Sequence, residues 1–510
     1  MQNYINGAFV PAQSGATLPN YNPSTGAPSF DPIPRSAAAD IHAAVAAARA
    51  ALPSWSSTPA AARAALLDRV ADYLEARAPA LARMEAEDAG KTLAQAAAVD
   101  IPRAVANFRF FAGAIRHDAG GEAFHMPDAV NFSARSAVGV AALITPWNLP
   151  LYLLSWKVAP ALACGNTVVC KPSEVTPRTA GALAEAFHAL GAPPGVFNLV
   201  HGLGGEAGAA LVAHPGARLL SFTGGTATGA AVAAAAAPLF KRVSLELGGK
   251  NATILFADTP VERAVAAALR AGYTNNGQVC LCGSRVLVQR PIYEAVAAGL
   301  AAAVGALRVG DPLAPGVDVG PLCSAAHRDK VRGYIELGLR EGGVAAAGGE
   351  GPPQGLPEAQ AGGYFVRPTV FTGLDARSSR VAREEIFGPV VVRWGGGCAR
   401  PHIACLHPTS PPCAPPQTVH PFDTEAEAIE LTNDSPYGLC ANVWTQNVGV
   451  AHRVARALDV GMVWVNCWLH RDLRTPFGGQ KDSGLGREGG RHSLDFYSEM
   501  KNVCVAIPPA

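Results

Sequence analysis

Hydrophobic residues in the first quarter of the chain recur at the spacing of amphipathic helices. Over residues 36–116, and most regularly over 61–88, apolar positions repeat every three or four residues with polar or charged residues between them. Such a repeat puts the apolar side chains on one face of a helix. The pattern predicts a helical region over 36–116, with Ser36 and Asp40 as candidate N-caps of its first helix.

The pattern changes after residue 130, where short β-like runs alternate with alanine-rich helical stretches. Each run ends in turn-forming or polar residues, which is typical of a strand. Strands that alternate with helices predict a parallel sheet with crossover helices. The predicted strands lie within residues 138–146, 166–172, 196–202, 219–225 and 252–258.

The same alternation continues over residues 261–394. It predicts a helix from Val261, a strand over 284–289 and a helix from Tyr293. The tail, residues 495–507, is typical of a helical turn followed by a strand. Because a terminal strand needs a sheet edge to pair with, we expect that edge either in this chain or on another subunit.

Residues 395–421 differ from everything around them, because they are rich in proline, cysteine and histidine and have no periodicity. Their spacings fit no standard zinc finger, and such a tract is weak compositional evidence for metal binding. We interpret the segment as a surface insertion or as translated non-coding sequence, with a zinc site as the alternative and no metal as the prediction. The residues that would form that zinc site are Cys398, His402, Cys405, His407, Cys413 and His420.

Length and charge narrow the class of protein. A chain of 510 residues predicts about three domains. The 41 lysines and arginines balance 40 acidic residues, so charge gives no reason to expect nucleic acid or an anionic membrane as a partner. The alanine tracts are too short or too interrupted to span a bilayer. Eleven cysteines without a secretory signal predict free thiols in a reducing cytoplasm.

Five separated segments carry residues suited to chemistry, at 145–150 (TPWNLP), 171–174 (KPSE), 246–250 (ELGGK), 277–280 (GQVC) and 384–389 (EEIFGP). Their order resembles the aldehyde dehydrogenase superfamily, as do the 23 positions from Asn148 to Lys171 and the 34 from Glu246 to Cys280. The resemblance extends from Tyr4 to the last strand, interrupted mainly by 395–421.

The resemblance implies an α/β enzyme with a Rossmann-type NAD domain, an α/β catalytic domain and a small β oligomerisation sheet. A homodimer or homotetramer is expected. The implied ranges are 1–117 and 136–246 for the NAD domain, 247–445 for the catalytic domain with its insertion 395–421, and 118–135 and 488–510 for the oligomerisation strands.

Aldehyde oxidation explains why these residue types are needed. A thiolate adds to the aldehyde carbon, the resulting oxyanion expels hydride, and water then cleaves the thioester, so the site needs a nucleophile, an oxyanion hole, a nicotinamide and a base. By resemblance Cys280 is the nucleophile, Asn148 donates to the oxyanion and Glu246 is the general base. Cys282 is the competing thiol, but the family places the nucleophile four residues before Ser284, which favours Cys280.

The predicted cofactor is NAD. By resemblance Lys171 and Glu174 contact the adenosine ribose, and a carboxylate there favours NAD over NADP because it repels a 2′-phosphate. The glycine-rich turn at 221–229 opens a helix that faces the pyrophosphate, and Gly225 stands where the family usually has serine. Glu385 is expected at the nicotinamide ribose. The predicted cofactor-binding residues are Thr145, Trp147, Lys171, Glu174, Gly224, Gly225, Gly229, Glu385 and Phe387.

Three stretches resemble the muconic semialdehyde dehydrogenase branch of the family, namely 100–111, 148–154 and 465–479. That branch oxidises 2-aminomuconate 6-semialdehyde, from tryptophan breakdown through kynurenine, or its 2-hydroxy analogue. Both substrates carry a carboxylate at the end away from the aldehyde, which arginine binds well. Arg103 and Arg471 match the substrate arginines of the branch, and Arg474 is a third candidate. We predict the 2-amino compound as the substrate.

Other functions remain open at this point. Retinal or aliphatic aldehydes are alternative substrates, since related branches accept them. A CoA-acylating enzyme is disfavoured by Glu246, since a hydrolytic base directs the thioester to water. A catalytically inactive structural homologue on the same fold is the alternative that is not an enzyme.

Overall fold

A computed structural model describes residues 1–118, 120–394 and 421–508, and its core is built on two large sheets. Neighbouring strands of the first sheet are parallel at its centre and antiparallel at both ends. The short end strands come from distant parts of the chain. In order across the sheet, its strands are Ala8–Val10, Asn3–Ile5, Phe197–Leu199, Thr167–Lys171, Val140–Ile144, Ala217–Thr223, Arg242–Glu246 and Gly484–Leu485.

The second large sheet is parallel except at one edge, where its first two strands are antiparallel. A short strand, Pro421–Phe422, pairs with Arg285–Gln289 beside the main order. In order, the strands are Val344–Ala347, Thr369–Leu374, Val390–Trp394, Arg285–Gln289, Ala252–Leu255, Cys440–Trp444 and Met462–Val465. Both large sheets confirm the predicted α/β fold class.

A third, antiparallel sheet contains the tail. Strand Ser498–Ala506 pairs with Ala129–Ala137 along its whole length, and Ala123–His125 pairs with the other side of that strand. The tail therefore finds its sheet edge within this chain. The three strands expose large apolar side chains, as expected of an oligomerisation sheet, and the homodimer or homotetramer stays a prediction. These exposed side chains are Phe124, Phe132, Met500 and Val505. Two further two-stranded ribbons pair Thr17–Asn20 with Phe30–Pro34 and Tyr437–Gly438 with Gln480–Lys481.

The helices connect the strands and cover the sheets. The helix Pro150–Ala163 is buried at twelve of its fourteen residues, because it lies between the first sheet and other helices. The α-helices are Ala38–Ser57, Ala60–Glu75, Ala78–Ala89, Leu93–Gln95, Ile101–Arg116, Pro150–Ala163, Arg178–Ala189, Ala209–Ala213, Thr226–Ala236, Val261–Tyr273, Tyr293–Gly305, Ala325–Arg340, Arg380–Arg383, Glu425–Asn433, Val448–Ala457 and Gly490–Phe496. Short π or 3₁₀ turns occupy Ala96–Asp100, Gly204–Gly208, Ala237–Leu239, Thr274–Gly277, Arg290–Ile292 and Glu358–Gln360.

The N-cap prediction for the first helix was wrong. The helix begins at Ala38 and its N-cap is Ala37. The Ser36 hydroxyl instead forms a buried hydrogen bond with the side chain of Asn3. Asp40 lies inside the helix, and its carboxylate accepts the Ala37 N–H at 3.0 Å. The Ser36 hydroxyl therefore makes a tertiary contact with Asn3 and does not cap the helix, although the local sequence had predicted a cap.

The expected insertion interrupts one strand of the second sheet. Arg393 lies opposite Val286, and Pro421 lies opposite Val288, on the same edge of Arg285–Gln289. One partner position separates these two pairs, so Val390–Trp394 and Pro421–Phe422 follow each other in register as parts of a single strand. The proposed zinc ligands between Cys398 and His420 lie outside the described residues.

The described residues contain neither a candidate membrane-spanning helix nor a candidate metal site. No helix there combines the length and hydropathy needed to cross a membrane. Nor do three or more histidine, cysteine or acidic side chains converge there as a metal site would require.

Candidate active site

A cavity of about 270 Å³ lies between the two large sheets, where several parallel strands end. The loop after Val140–Ile144 contributes Trp147 and Asn148, and the turn after Ala217–Thr223 contributes Gly224 and Gly225. The remaining lining residues are Pro146, Leu153, Thr223, Leu247, Gly248, Cys280, His327, Lys330, Glu385 and Phe387. Seven residues predicted from four separate segments therefore line one cavity. We name it the cofactor cavity.

Cys280 reaches the cofactor cavity and Cys282 does not line it. Cys280 is partly exposed, whereas Cys282 is buried against Leu281 and Cys440. Burial, and then the charges of Glu385 and Glu246, raise the pKa of the Cys280 thiol well above its ordinary value. A thiol held in its protonated form needs a base or a bound cofactor to become a nucleophile. Burial raises the pKa of the Cys282 thiol as well, so it is access to the cavity that favours Cys280 over Cys282 as the reacting thiol.

Glu246 ends the strand Arg242–Glu246 and is buried beside the cavity rather than in its lining. Its Oε1 has no hydrogen-bond partner among the described residues. Gly478 packs so closely that a Cβ there would lie 2.8 Å from this oxygen. Burial raises the pKa of Glu246 well above the ordinary range, and the charge of Glu488 raises it further. Glu246 is thus a buried carboxyl with a free acceptor and increased basicity.

Asn148 is buried in the loop between a strand and the helix Pro150–Ala163, and it lines the cavity. Its Nδ2 donates to the Gln278 carbonyl at 2.9 Å, two residues before Cys280 in the chain. An amide nitrogen carries two N–H groups, so a second donor remains. The side chain is therefore tied to the segment that carries Cys280 and keeps one donor for an oxygen in the cavity.

Aromatic rings and a carboxylate line the opposite wall. Trp147 contacts His327 and Phe387 with ring centroids 4.8 and 5.3 Å apart. The carboxylate of Glu385 accepts the Gly249 N–H at 2.9 Å, and burial raises the pKa of Glu385. A buried carboxylate can accept a hydrogen bond from a sugar hydroxyl, and the neighbouring aromatic rings can pack against a planar base attached to that sugar.

The glycine-rich turn is shaped by contacts that exclude side chains. A Cβ on Gly224 would lie 2.4 Å from the ring of Phe222, and one on Gly229 would lie 2.4 Å from Leu247. Gly225 differs, because a Cβ there would meet nothing within 4 Å. Gly225 is also the N-cap of the helix Thr226–Ala236, whose first N–H groups form an anion site.

Three other predicted cofactor residues lie near the strand Thr167–Lys171. The Lys171 ammonium donates to Glu174 at 2.8 Å, so the two residues form one polar pair. Thr145 is buried, and its main-chain N–H donates to the Lys171 carbonyl at 3.2 Å. The Thr145 hydroxyl has no partner among the described residues. None of the three lines the cofactor cavity itself.

Arg103 and Arg471 lie beside each other, although 368 positions separate them in the chain. The Arg471 guanidinium donates to the Tyr152 hydroxyl at 2.9 Å, and Arg103 lies 5.4 Å from the Tyr152 ring. Both arginines also approach the Trp156 ring, at 5.6 and 5.4 Å. Burial lowers the pKa of Arg103, and the charge of Arg471 lowers it further. We name Arg103 and Arg471 the arginine pair.

Neither arginine of the pair forms a salt bridge within the described residues, although the charge of Asp472 partly offsets the lowering of the Arg103 pKa. Arg103 donates to the Asn107 side chain at 3.2 Å, while its Nη2 is buried and has no partner in the described part of the chain. Two adjacent cations, one of them with an unused buried donor, favour an anionic ligand between them. Arg474 is different, because its side chain is 80% exposed and pairs with Asp472.

The family follows from comparison with known proteins. A family model described as the aldehyde dehydrogenase family matches residues 9–393 and 409–503. The chain belongs to the aldehyde dehydrogenase family. The positions between the two matched blocks of this aldehyde dehydrogenase, 394–408, overlap the first part of the insertion expected at 395–421.

Individual relatives cover this aldehyde dehydrogenase along its full length. It is 46% identical over 514 residues to a 2-hydroxymuconic semialdehyde dehydrogenase of Pseudomonas sp. (strain CF600), with 99% of each chain covered. It is 44% identical over 507 residues to a Homo sapiens 2-aminomuconic semialdehyde dehydrogenase, covering 99% and 98%. Its fold matches the NAD⁺ complex of a Bacillus cereus aldehyde dehydrogenase with a TM-score of 0.91 and 40% identity, covering 100% and 97%.

Two polar residues of the cavity were not predicted from the sequence. His327 and Lys330 both come from the helix Ala325–Arg340 and line the cofactor cavity. His327 hydrogen-bonds the Phe387 carbonyl at 2.6 Å, and burial lowers its pKa to about 4. Their spacing of three puts them on one helix face, yet the helix has no turn or glycine motif that would have marked them.

Proposed function

We propose that this aldehyde dehydrogenase oxidises a muconic semialdehyde, using NAD, to the corresponding dicarboxylic acid. The arginine pair carries the proposal. Arg103 offers a buried, unused Nη2 donor, and Arg471 beside it hydrogen-bonds Tyr152 of the helix Pro150–Ala163, which also contributes Leu153 to the cofactor cavity. A carboxylate at the far end of the substrate satisfies both cations, whereas retinal or acetaldehyde would leave them facing a neutral group.

Cys280 performs the covalent step. Glu246 accepts the proton of the thiol and releases it to solvent, the thiolate adds to the aldehyde carbon, and the carbonyl oxygen becomes an oxyanion that accepts an N–H from Asn148. Collapse of that oxyanion re-forms the C=O bond and expels the hydride, which leaves a thioester on Cys280. NAD supplies the hydride acceptor when it is bound. Once the thioester has formed, Glu246 removes a proton from water, and the hydroxide attacks the thioester carbon. The acid leaves and the thiol is restored. The raised pKa of Glu246 makes its ionised form a stronger base for this step.

The residues of the cavity fit NAD. Gly225 and the first N–H groups of Thr226–Ala236 would bind a phosphate, and Glu385 would accept a hydrogen bond from a ribose hydroxyl. Trp147 and Phe387 would pack against the nicotinamide ring. The Lys171–Glu174 pair would hold the adenosine ribose, and its carboxylate would disfavour a 2′-phosphate.

Relatives of both kinds support the substrate class. The 2-hydroxymuconic and 2-aminomuconic enzymes are similar to this chain at 46% and 44% identity. Their substrates share the far carboxylate and differ only in the 2-substituent. The 2-amino compound, and with it a place in kynurenine catabolism, therefore stays our prediction within the class.

The test is NADH production followed at 340 nm with 2-hydroxymuconic semialdehyde, retinal and acetaldehyde. We expect kcat/KM for the muconic compound to exceed the other two by about 10–100-fold, since a paired carboxylate contributes about 1.5–3 kcal/mol. Turnover of retinal or acetaldehyde without turnover of the muconic compound would overturn the substrate class.

A further inference from the structure

Three charged side chains are fully buried behind the oxyanion donor. Lys91, Asp100 and Glu85 have no exposed surface. The Lys91 ammonium donates to Asp100 Oδ2 at 2.6 Å and lies 3.9 Å from the Glu85 carboxylate. Burial raises the pKa of Glu85 to about 7 despite the nearby ammonium. The catalytic steps described above use none of these groups. We name the three residues the Lys91 cluster.

Lys91 has a second hydrogen bond that leads to the active site. Its Nζ donates to the main-chain carbonyl of Asn148 at 2.9 Å. The same carbonyl accepts Asn275 Nδ2 at 3.1 Å, while the side chain of Asn148 is tied to Gln278. The main chain of the oxyanion donor is thus fixed from behind by an ammonium and an amide.

Asp100, the salt-bridge partner of Lys91, lies at the start of the helix that carries Arg103. Asp100 ends the π turn Ala96–Asp100, directly before Ile101–Arg116. The ammonium therefore connects the backbone at the aldehyde end of the site with the element that bears the carboxylate-binding arginine. Its position is set by Gly90, which ends the preceding helix at φ 75° and lies against Pro321.

Folding stability does not explain why the three charged side chains of the Lys91 cluster are buried together. Desolvating buried charges costs several kcal/mol each, and apolar residues of similar volume commonly stabilise a fold as well or better. Geometry is a stronger reason, because an oxyanion donor must be held within about 0.5 Å of its working position. A charged donor on the Asn148 carbonyl supplies such a constraint.

We propose that Lys91 is a positioning residue for the oxyanion hole, acting through the main chain of Asn148. The proposal rests on the oxyanion role of Asn148 in the proposed function. Lys91 touches neither substrate nor cofactor. Its ammonium holds the Asn148 carbonyl, which orients the side-chain amide toward the oxygen of the aldehyde that Cys280 attacks.

The test is a double-mutant cycle on the single-turnover rate of NADH formation. The paired variant Lys91→Met/Asp100→Asn removes one charge of each sign and leaves Glu85 as the remaining acid of the Lys91 cluster. It is measured alone and in an Asn148→Ala background, with whichever aldehyde the wild-type enzyme turns over fastest. Removing an oxyanion donor costs about 10²–10³-fold. We expect the paired variant to lower the rate about 10–100-fold alone, and less than about twofold further in the Asn148→Ala background.

Folding of each variant is monitored by thermal unfolding. If the paired variant shows no cooperative unfolding, Glu85→Gln is added, which neutralises the whole Lys91 cluster. Lys241→Met is the matched control. Lys241 is also buried and also donates to a main-chain carbonyl, that of His214, at 2.7 Å. Any effect of this control is expected to be equal in both backgrounds.

The outcomes separate the two proposals. An equal loss from the paired variant with and without the Asn148 amide would make the Lys91 cluster purely structural and overturn the inference, while Asn148 keeps its role. A wild-type rate in Asn148→Ala itself would overturn the oxyanion role and the inference together. A loss of single-turnover rate in the paired variant that occurs only when the Asn148 amide is present supports both the oxyanion role of Asn148 and the positioning role of Lys91.

Discussion

At the residue scale, Gly225 has room for a side chain that it lacks. Its φ of −73° suits any L-residue, and a Cβ would meet nothing within 4 Å. We predict that Gly225→Ser strengthens NAD binding roughly fivefold, because one added hydrogen bond to phosphate is worth about 1 kcal/mol. Titration of intrinsic fluorescence measures this Kd. Gly229→Ser is the control, since its Cβ overlaps Leu247 and should weaken binding. A Gly225→Ser enzyme that binds NAD no better than wild type would contradict the prediction.

The raised pKa of Glu246 predicts how kcat depends on pH. Its pKa is raised by burial and by Glu488, and only its ionised form accepts a proton from water. The value of kcat should therefore fall about tenfold per pH unit below that raised pKa, at a higher pH than an ordinary glutamate would give. Glu246→Gln should lower kcat by about 10²–10⁴-fold and abolish this limb. The pH profile of kcat for both enzymes is the measurement, and an acid limb that persists in Glu246→Gln would assign the base elsewhere.

The local sequence was sufficient to predict some residues of the active site but not others. Asn148 and Cys280 lie in segments whose order and separation identify the family, and both line the cofactor cavity. His327 and Lys330 reach the same cavity from an ordinary amphipathic helix, which gave no signal. The Lys91 cluster was missed for a similar reason, because single charged residues in helices are usually solvated.

At the element scale, the interrupted strand makes a direct prediction. Val390–Trp394 and Pro421–Phe422 pair with one edge of Arg285–Gln289 in continuous register. Joining Trp394 directly to Pro421 therefore gives one unbroken strand. We predict that deletion of 395–420 leaves kcat and KM within about twofold of the full chain, with an equal or higher Tm, because the two strand pieces join in register and a shorter connection has a lower entropic cost of closure. Steady-state kinetics and thermal unfolding measure this, and loss of folding on deletion would show that the segment is needed.

Element prediction worked best where periodicity was strong. The five predicted strands over 138–258 and the helices from Val261 and Tyr293 are confirmed. The short strands Asn3–Ile5, second from one edge of the first sheet, and Gly484–Leu485, at its other edge, were not predicted. They join the first sheet through pairings with distant residues, which local periodicity does not reveal.

At the scale of the whole molecule, the fold brings distant positions into one chemical unit. The arginine pair joins a helix near the start of the chain to a loop near its end, and both arginines meet at Tyr152. Composition and periodicity predicted the α/β class but not this meeting, which depends on how the two large sheets pack. The resemblance to one branch of the family was the signal that identified both arginines.

The measurement that tests the central claim most directly is the specificity ratio, kcat/KM for 2-hydroxymuconic semialdehyde over kcat/KM for acetaldehyde, in wild type and in Arg471→Leu. Leucine leaves an apolar side chain against Phe477 but no donor, so the carboxylate loses a charge-assisted hydrogen bond worth about 1.5–3 kcal/mol. We predict that the ratio falls about 10–100-fold, with kcat/KM for acetaldehyde unchanged within about threefold. An unchanged ratio would contradict a carboxylate held by the arginine pair.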